Sequence, residues 1–452
     1  MNLIKLRAEI MLLVVAAYLI LNQGAMMVRI PPAAGSGLPV GEALVILFGL
    51  TLALETRRLP SFAAVAPVAA LLVWWGLAVT QLIIGLPKYG FWAVRDASHA
   101  IESSFLWIGF VVAAAPGFLG RFSSWLRVVL NVGAFYALLY PFRETLTGLS
   151  PKLDAAAGYT VPLFFNFISA GLVPLTAAVR WLVDRSSLFG IPAVFLAGAM
   201  IVYCAVIFQM RTTYLQIMAV FIVMIAIQPR IAFKMSLGML FGLAGLSLVL
   251  ASGIEITGRL GEKFSLDFFF QHFAAIWGVQ GDGMVRDAAL GVSQRLRWWA
   301  DIWRQLSADV QTLLFGLGYG MPLTDFYFTG DIRVREPHNS IISIVARVGF
   351  AGLFFFILFH LALLRVWVKA YRWCVKNGET LWRNNLLIIG VYFLLMWIYS
   401  IGEDAFEKPY NAITYYFLWG VVLRVYYEIL APQGRLRRKH EAARAAAGRA
   451  AL

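Results

Sequence analysis

Charge is scarce in this chain. Of 452 residues only 14% are Asp, Glu, Lys or Arg, against roughly 25% in a soluble domain. A water-soluble fold is excluded. Cysteine is nearly missing, with Cys204 and Cys374 alone. The topology read below puts Cys204 in a span and Cys374 in a cytoplasmic loop, so the two do not pair with each other. No Cys/His cluster has zinc spacing. No repeat and no Pro- or Ser-rich linker divides the chain, and one membrane domain with one polar insertion is the simplest division.

Apolar sequence is what the chain has in excess: 61% of it is hydrophobic. Runs of about 20 residues, long enough for the ~30 Å hydrocarbon core, fall at 8–30, 38–55, 61–86, 98–118, 124–146, 160–180, 187–209, 212–229, 233–252, 340–367, 385–402 and 410–430. They predict an all-α polytopic membrane protein with about 12 transmembrane helices, because lipid offers unpaired backbone groups no partner. The first run follows Lys5 and Arg7 without a small-residue cleavage site after it. It reads as an anchoring helix rather than a removed signal peptide.

Basic residues in short loops set the orientation. A cytoplasmic N-terminus puts Arg57-Arg58, Arg121 with Arg127, Arg180 with Arg185, and Arg230 with Lys234 inside. Lys369, Arg372, Lys376 and Arg383 also fall inside, as does the tail with Arg435, Arg437, Arg438 and Lys439. The expected organisation is helices 1–9 over 1–252, a large and mostly helical periplasmic loop over 253–339, helices 10–12 over 340–430, and a basic cytoplasmic tail over 431–452. This topology and the Ala/Arg-rich end account for much of the net charge of +14, so it is not read as nucleic-acid binding.

The long polar segment is the main break in this pattern. Its residues 264–277 are aromatic enough to lie along the outer membrane interface, with His272 as amphipathic surface. A second helix is predicted from about Met284 to Leu306. Its apolar stripe is Val292, Leu296, Trp299, Ile302, Trp303 and Leu306, with Gln294, Arg297, Asp301 and Arg304 on the polar face. Arg295 falls within the apolar stripe, and an arginine turned toward the protein needs an anionic partner. Glu255, Asp331 or a bound ligand are the candidates, whereas Arg297 reads as solvated. Gly316, Gly318 and Gly320 alternate, but no Gly-Lys-Ser/Thr follows. A tight structural turn is favoured over a phosphate cradle.

Three residues at the outer membrane edge carry chemistry. Arg211 lies in so tight a turn between two spans that its guanidinium stays near the boundary, either snorkelling or holding an anion, since the planar fork matches phosphate oxygens. His338 follows Pro337 at the end of the polar segment, near Glu336, where an imidazole of pKa about 6.5 offers a neutral base near pH 7. Asn339 can orient a substrate or cap the helix that starts beside it. Arg29, Lys88, Arg95, Arg143 and Lys152 are further cations on the same side.

Taken in order, Arg211, Ser293-x-Arg295 with Trp298-Trp299, Phe315-Gly316-x-Gly318-x-Gly320, His338-Asn339-Ser340 and Arg347-x-Gly349-Phe350-x-Gly352-Leu353 resemble the O-antigen ligase family. That family belongs to a superfamily with O-antigen polymerases and protein O-oligosaccharyltransferases. The motifs cover about 195–365, and the span layout covers the whole chain. Arg347 departs from the pattern, since relatives often carry an acidic residue there.

The resemblance implies an enzyme of the bacterial inner membrane, similar in architecture to C-type membrane glycosyltransferases, with both termini cytoplasmic. It would move a polysaccharide from undecaprenyl pyrophosphate to a sugar of lipid A–core at the periplasmic face, without metal, cofactor or nucleotide sugar. Arg211 and Arg295 would bind the pyrophosphate and His338 would act as general base in an inverting displacement. Lys88, Arg95 and Arg143 would guide the donor or meet acceptor phosphates. A polymerase or protein-glycosylating relative shares the donor and differs in acceptor. A flippase or transporter is the more distant rival, and would place unpaired charge near the bilayer midplane, whereas Arg211, Arg295 and His338 map to one face. Glu42, Glu102 and the Glu403-Asp404 pair, near the outer ends of spans, do not alter that balance.

Overall fold

The computed structural model describes residues 3–30, 38–55, 67–154, 160–166, 171–253, 284–325, 327–328 and 332–430, together with 255, 256, 258, 264, 265, 267, 270 and 271. Most of this is helix (78%). The longer helices are α1 (Leu3–Leu21), α2 (Val40–Glu55), α3 (Val68–Tyr89), α4 (Phe118–Ala137), α5 (Leu172–Asp184), α6 (Ala193–Phe208), α7 (Arg211–Ile227) and α8 (Pro229–Ala251). They continue with α9 (Met284–Leu306), α10 (Ser340–Lys376), α11 (Thr380–Gly402) and α12 (Pro409–Leu430). Among the described residues the strands form three short antiparallel hairpins.

Helices α3, α8, α10 and α11 are each long and apolar enough to cross a membrane, and α4 with Tyr140–Leu149, bent by 46°, makes a fifth candidate. The protein is thus built as an all-α membrane protein. Helix α11 lies inside the bundle, 67% buried over its apolar window, and α8 lies outside it at 11%. Large side chains such as Phe233, Leu240 and Leu248 on α8 stand exposed, which an aqueous surface would penalise and lipid does not. Close backbone approach fixes α6 against α8: a Cβ on Gly198 would fall 1.8 Å from the Gly238 carbonyl oxygen. Small residues at such a crossing let membrane helices pack through their backbones.

Several apolar runs are not single helices. The run at 160–180 holds a strand, Thr160–Pro162, and a separate helix that starts at Leu172. Its 13-residue helix spans ~20 Å, short of the ~30 Å core. The run at 98–118 is interrupted at Ser103-Ser104, between Ser98–Glu102 and Phe105–Val112. Arg180, expected in a loop, is instead 1% exposed inside α5, paired with Asp184 at 3.4 Å. Of the aromatic stretch at 264–277, Phe264 is buried and Phe270 exposed; His272 and 273–277 lie outside the described residues, as does the tail at 431–452.

Helix α10 positions the chain around His338. It breaks at Gly349, where φ is 70° and ψ −174°. A break leaves carbonyls of the preceding turn without helical partners, and the glycine turn supplies them: the Leu317 amide donates to the Ala346 carbonyl at 2.7 Å and Gly318 to Arg347 at 3.1 Å. Gly316, Gly318 and Gly320 all have positive φ, and the Gly320 amide donates to Asp96. These amides are engaged within the protein, so the turn is structural and not a phosphate cradle.

Candidate functional site

Arg211, Arg295 and His338 converge on the end of α11. The Arg295 guanidinium donates to the Gly402 carbonyl at 2.7 Å and lies 3.4 Å from the Glu403 carboxylate. The His338 Nδ1 is 3.4 Å from Glu403 and 3.3 Å from Asp404. Arg211 opens α7, and its neighbour Thr212 is so close that a Cβ on Gly402 would fall 2.5 Å from the Thr212 methyl. Arg295 acts on Arg211 as a like charge, and the Arg211 Nε and Nη2 are buried without a hydrogen-bond partner among the described residues. Two neighbouring guanidiniums, one partly unsatisfied, make a place for an anion.

The partner of Arg295 is therefore Glu403. Asp331 lies outside the described residues. Arg297 is exposed and bonds to Gln294, as expected. The buried face of α9 keeps Ile302 and Leu306 of the expected stripe and adds Trp298, while Val292, Leu296 and Trp303 are exposed. Trp299 takes part by donating its indole N–H to the Pro337 carbonyl at 3.0 Å, which ties α9 to the chain before His338.

His338 differs electrostatically from expectation. Burial alone pushes the ring pKa down, but Asp404 and Glu403 together outweigh it and raise it to about 9. The resting ring is protonated near pH 7. Burial likewise disfavours charge on Glu403 and Asp404, yet both sit below the usual carboxylate range. His338 and Arg295 hold Glu403 there, and His338 and Lys408 hold Asp404. Since Nδ1 faces the carboxylates, Nε2 is the ring nitrogen left for a substrate. The backbone at His338 is left-handed, φ 54°, an uncommon conformation for a side chain of this size.

Glu336 is not the partner of His338. It pairs with Arg347 at 2.8 Å and accepts from Ser343. Arg347, 1% exposed, also reaches Asp96 at 3.0 Å, and Asp96 takes Arg335 at 2.8 Å. This balanced four-charge cluster clamps the chain before His338 onto the segment after α3. Arg347 has its acidic partners here in Glu336 and Asp96. Asn339 is a helix cap: its side chain accepts from the Ile341 and Ile342 amides and donates to Ile401. One amide hydrogen remains for a substrate.

The other cations are scattered. Arg95 is exposed and stacks on Trp92 at 4.8 Å, whose ring also takes Arg335 at 4.1 Å. Arg143 stacks on Tyr140 at 4.7 Å, and Lys88 is exposed near the end of α3. None of the three contacts His338, Arg211 or Arg295 among the described residues. Glu403 and Asp404, which the sequence reading set aside, are the residues that join the site. Their signal was two adjacent acids directly after an apolar run, opposite a histidine at a similar depth.

Below this cluster runs an apolar groove of about 450 Å³. Its walls include Val223 and Met224 of α7, Ile357 and Leu361 of α10, and Leu394 and Trp397 of α11. Trp397 stands ~9 Å below Glu403 and Val223 ~18 Å below Arg211, by helical rise. The helices that carry or adjoin the charged cluster at their ends thus frame the groove beneath it. Comparison with protein-family models and with curated proteins gives no match to this chain.

Proposed function

We infer that the protein is a membrane glycosyltransferase of the O-antigen ligase type, moving a glycan from undecaprenyl pyrophosphate to a sugar of lipid A–core at the periplasmic face. The observation that carries this reading is the meeting of two guanidiniums and one imidazole at the end of α11, above an apolar groove. The pyrophosphate would lie on Arg211 and Arg295, displacing Glu403 from Arg295. The groove suits the polyprenyl tail.

In the reaction the acceptor hydroxyl forms a bond to the anomeric carbon as the bond to the pyrophosphate oxygen breaks. The leaving undecaprenyl pyrophosphate keeps the electron pair, and the hydroxyl proton goes to the neutral His338 ring at Nε2. Preorganised cations at the leaving group typically lower such barriers by about 3–4 kcal/mol each, and general-base help adds roughly 10²–10⁴-fold. At pH 7 only about one ring in a hundred is neutral for a pKa of about 9, and the stronger base partly offsets this loss.

Purified protein is to be given undecaprenyl-linked glycan with a panel of acceptors: lipid A–core, free glycan ends and a pilin-type protein. Transfer to lipid A–core that is lost in His338→Ala supports the reading. Transfer to glycan ends or to protein would select a polymerase or a protein O-oligosaccharyltransferase. Donor movement across vesicles with no transfer would select a flippase.

A further inference from the structure

A second pocket, polar and about 290 Å³, lies along α9 and shares Trp298 with the surroundings of His338. It stands at the low end of the ~300–1,000 Å³ usual for small-molecule sites. One wall is α9, through Trp298, Asp301 and Gln305. These are i, i+3 and i+7, a single stripe of the helix. The other wall is the segment at 322–325, with Thr324 and Asp325. Both walls are fastened to the chain that leads into His338. On one side Trp299 donates to Pro337; on the other the Leu323 amide donates to Arg335 at 2.9 Å and the Thr324 hydroxyl to Val334. Trp298 is 6% exposed, and its ring centre is 6.1 Å from that of His338. It belongs both to the pocket and to the surroundings of the imidazole.

The order along α9 gives the pocket a direction. Arg295 marks the anion end, Trp298 stands beside the imidazole, and Asp301 and Gln305 lie ~9 and ~15 Å from Arg295 by helical rise. In an inverting displacement the attacking hydroxyl and the leaving group lie on opposite sides of the anomeric carbon, with the base at the hydroxyl. A pocket beyond the imidazole, away from Arg211 and Arg295, suits the attacking sugar. Its chemistry agrees. A carboxylate and an amide can each bond a sugar hydroxyl, and an indole offers an apolar face to a ring. Asp301 is paired with Arg304, which also lines the pocket, and Asp325 adds a second carboxylate, so the lining holds two acids to one base and disfavours a phosphorylated sugar.

We propose that this pocket binds the terminal, uncharged sugar of the acceptor, with Asp301 and Gln305 bonding its hydroxyls and Trp298 as platform. The assignment rests on the glycosyl-transfer reading, so its test has two arms. In transfer assays with the full chain in lipid nanodiscs, Asp301→Asn and Gln305→Ala should each raise the acceptor KM about tenfold, the loss of one hydrogen bond, with the donor KM unmoved. An equal rise in donor KM, or none in either, overturns it. The second arm needs no reaction: saturation-transfer NMR with free methyl hexosides should show binding to the unmodified protein, weakened in Gln305→Ala. No binding, or binding equal in both, overturns the pocket. Binding that Gln305→Ala weakens, in a protein that transfers no glycan, would uphold the sugar pocket and overturn the transferase reading.

Discussion

Asp404 holds its carboxylate 3.3 Å from Nδ1 of His338, with the acid 1% exposed and the ring 32% exposed. That contact, with Glu403, raises the ring pKa to about 9. A folded-state pKa above the unfolded value of about 6.5 stabilises the fold fully below that value and loses its contribution as pH rises through about 9. Activity runs the other way, because a base must be neutral. The transfer rate should climb between pH 7 and 9 while thermal stability falls. In Asp404→Asn the inflection of the rate profile should move down toward about 6.5, with a lower alkaline plateau because the base is weaker. A profile identical to that of the unmodified protein would remove Asp404 from the mechanism.

Under the proposed function, Glu403 competes with the donor pyrophosphate for the Arg295 guanidinium. Its contact with Arg295 at 3.4 Å sets a carboxylate against an incoming pyrophosphate. Glu403→Gln should therefore tighten binding of inorganic pyrophosphate severalfold, while Arg295→Ala and Arg211→Ala should each weaken it by about 1.5–3 kcal/mol, the worth of a charge-assisted hydrogen bond. Isothermal titration of nanodisc-embedded protein measures both. Weaker binding in Glu403→Gln would mean that the acid supports the anion site rather than blocking it.

What the sequence disclosed follows from the range of the physics involved. Helix α9 was legible because its amphipathic period is local, and Arg295 stood out within its apolar stripe. The partner of Arg295 was not legible. Glu403 is 108 residues away, and no local pattern indicates which distant acid a cation will meet. The protonated state of His338 depends on the same unseen neighbours, so an isolated imidazole suggested the wrong resting charge. The break in the run at 160–180 was hidden because a hairpin strand and a helix can both be apolar. Asn339 reads in sequence as cap or ligand, and its bonds to Ile341 and Ile342 show the cap.

The break in α10 rests on one glycine. At Gly349, with φ 70°, a Cβ would come 2.2 Å from the Leu314 carbonyl oxygen. Gly349→Ala combines that clash with a left-handed backbone that alone costs about 1–3 kcal/mol, so the melting temperature should fall clearly. Gly76, in α3 with no atom within 4 Å of its added Cβ, is the control: Gly76→Ala should be neutral or stabilising by about 0.5–1 kcal/mol. Equal melting temperatures for the two variants would show that the break does not depend on Gly349.

The groove beneath the charged cluster distinguishes a lipid-tailed donor from a soluble one. Leu394 and Trp397 project from α11 into it, and its volume is about 450 Å³. Leu394→Trp should fill part of this space without touching Arg211, Arg295 or His338. If the groove holds the polyprenyl chain, the variant should raise the KM of the full-length donor about tenfold, the equivalent of ~1.4 kcal/mol of buried apolar surface. A short-tailed donor, which does not reach so deep, should bind variant and unmodified protein alike. Loss of activity with both donors would point instead to distortion of α11 and its Glu403-bearing end, since overpacking shifts backbone. No loss with either donor would place the tail elsewhere on the protein.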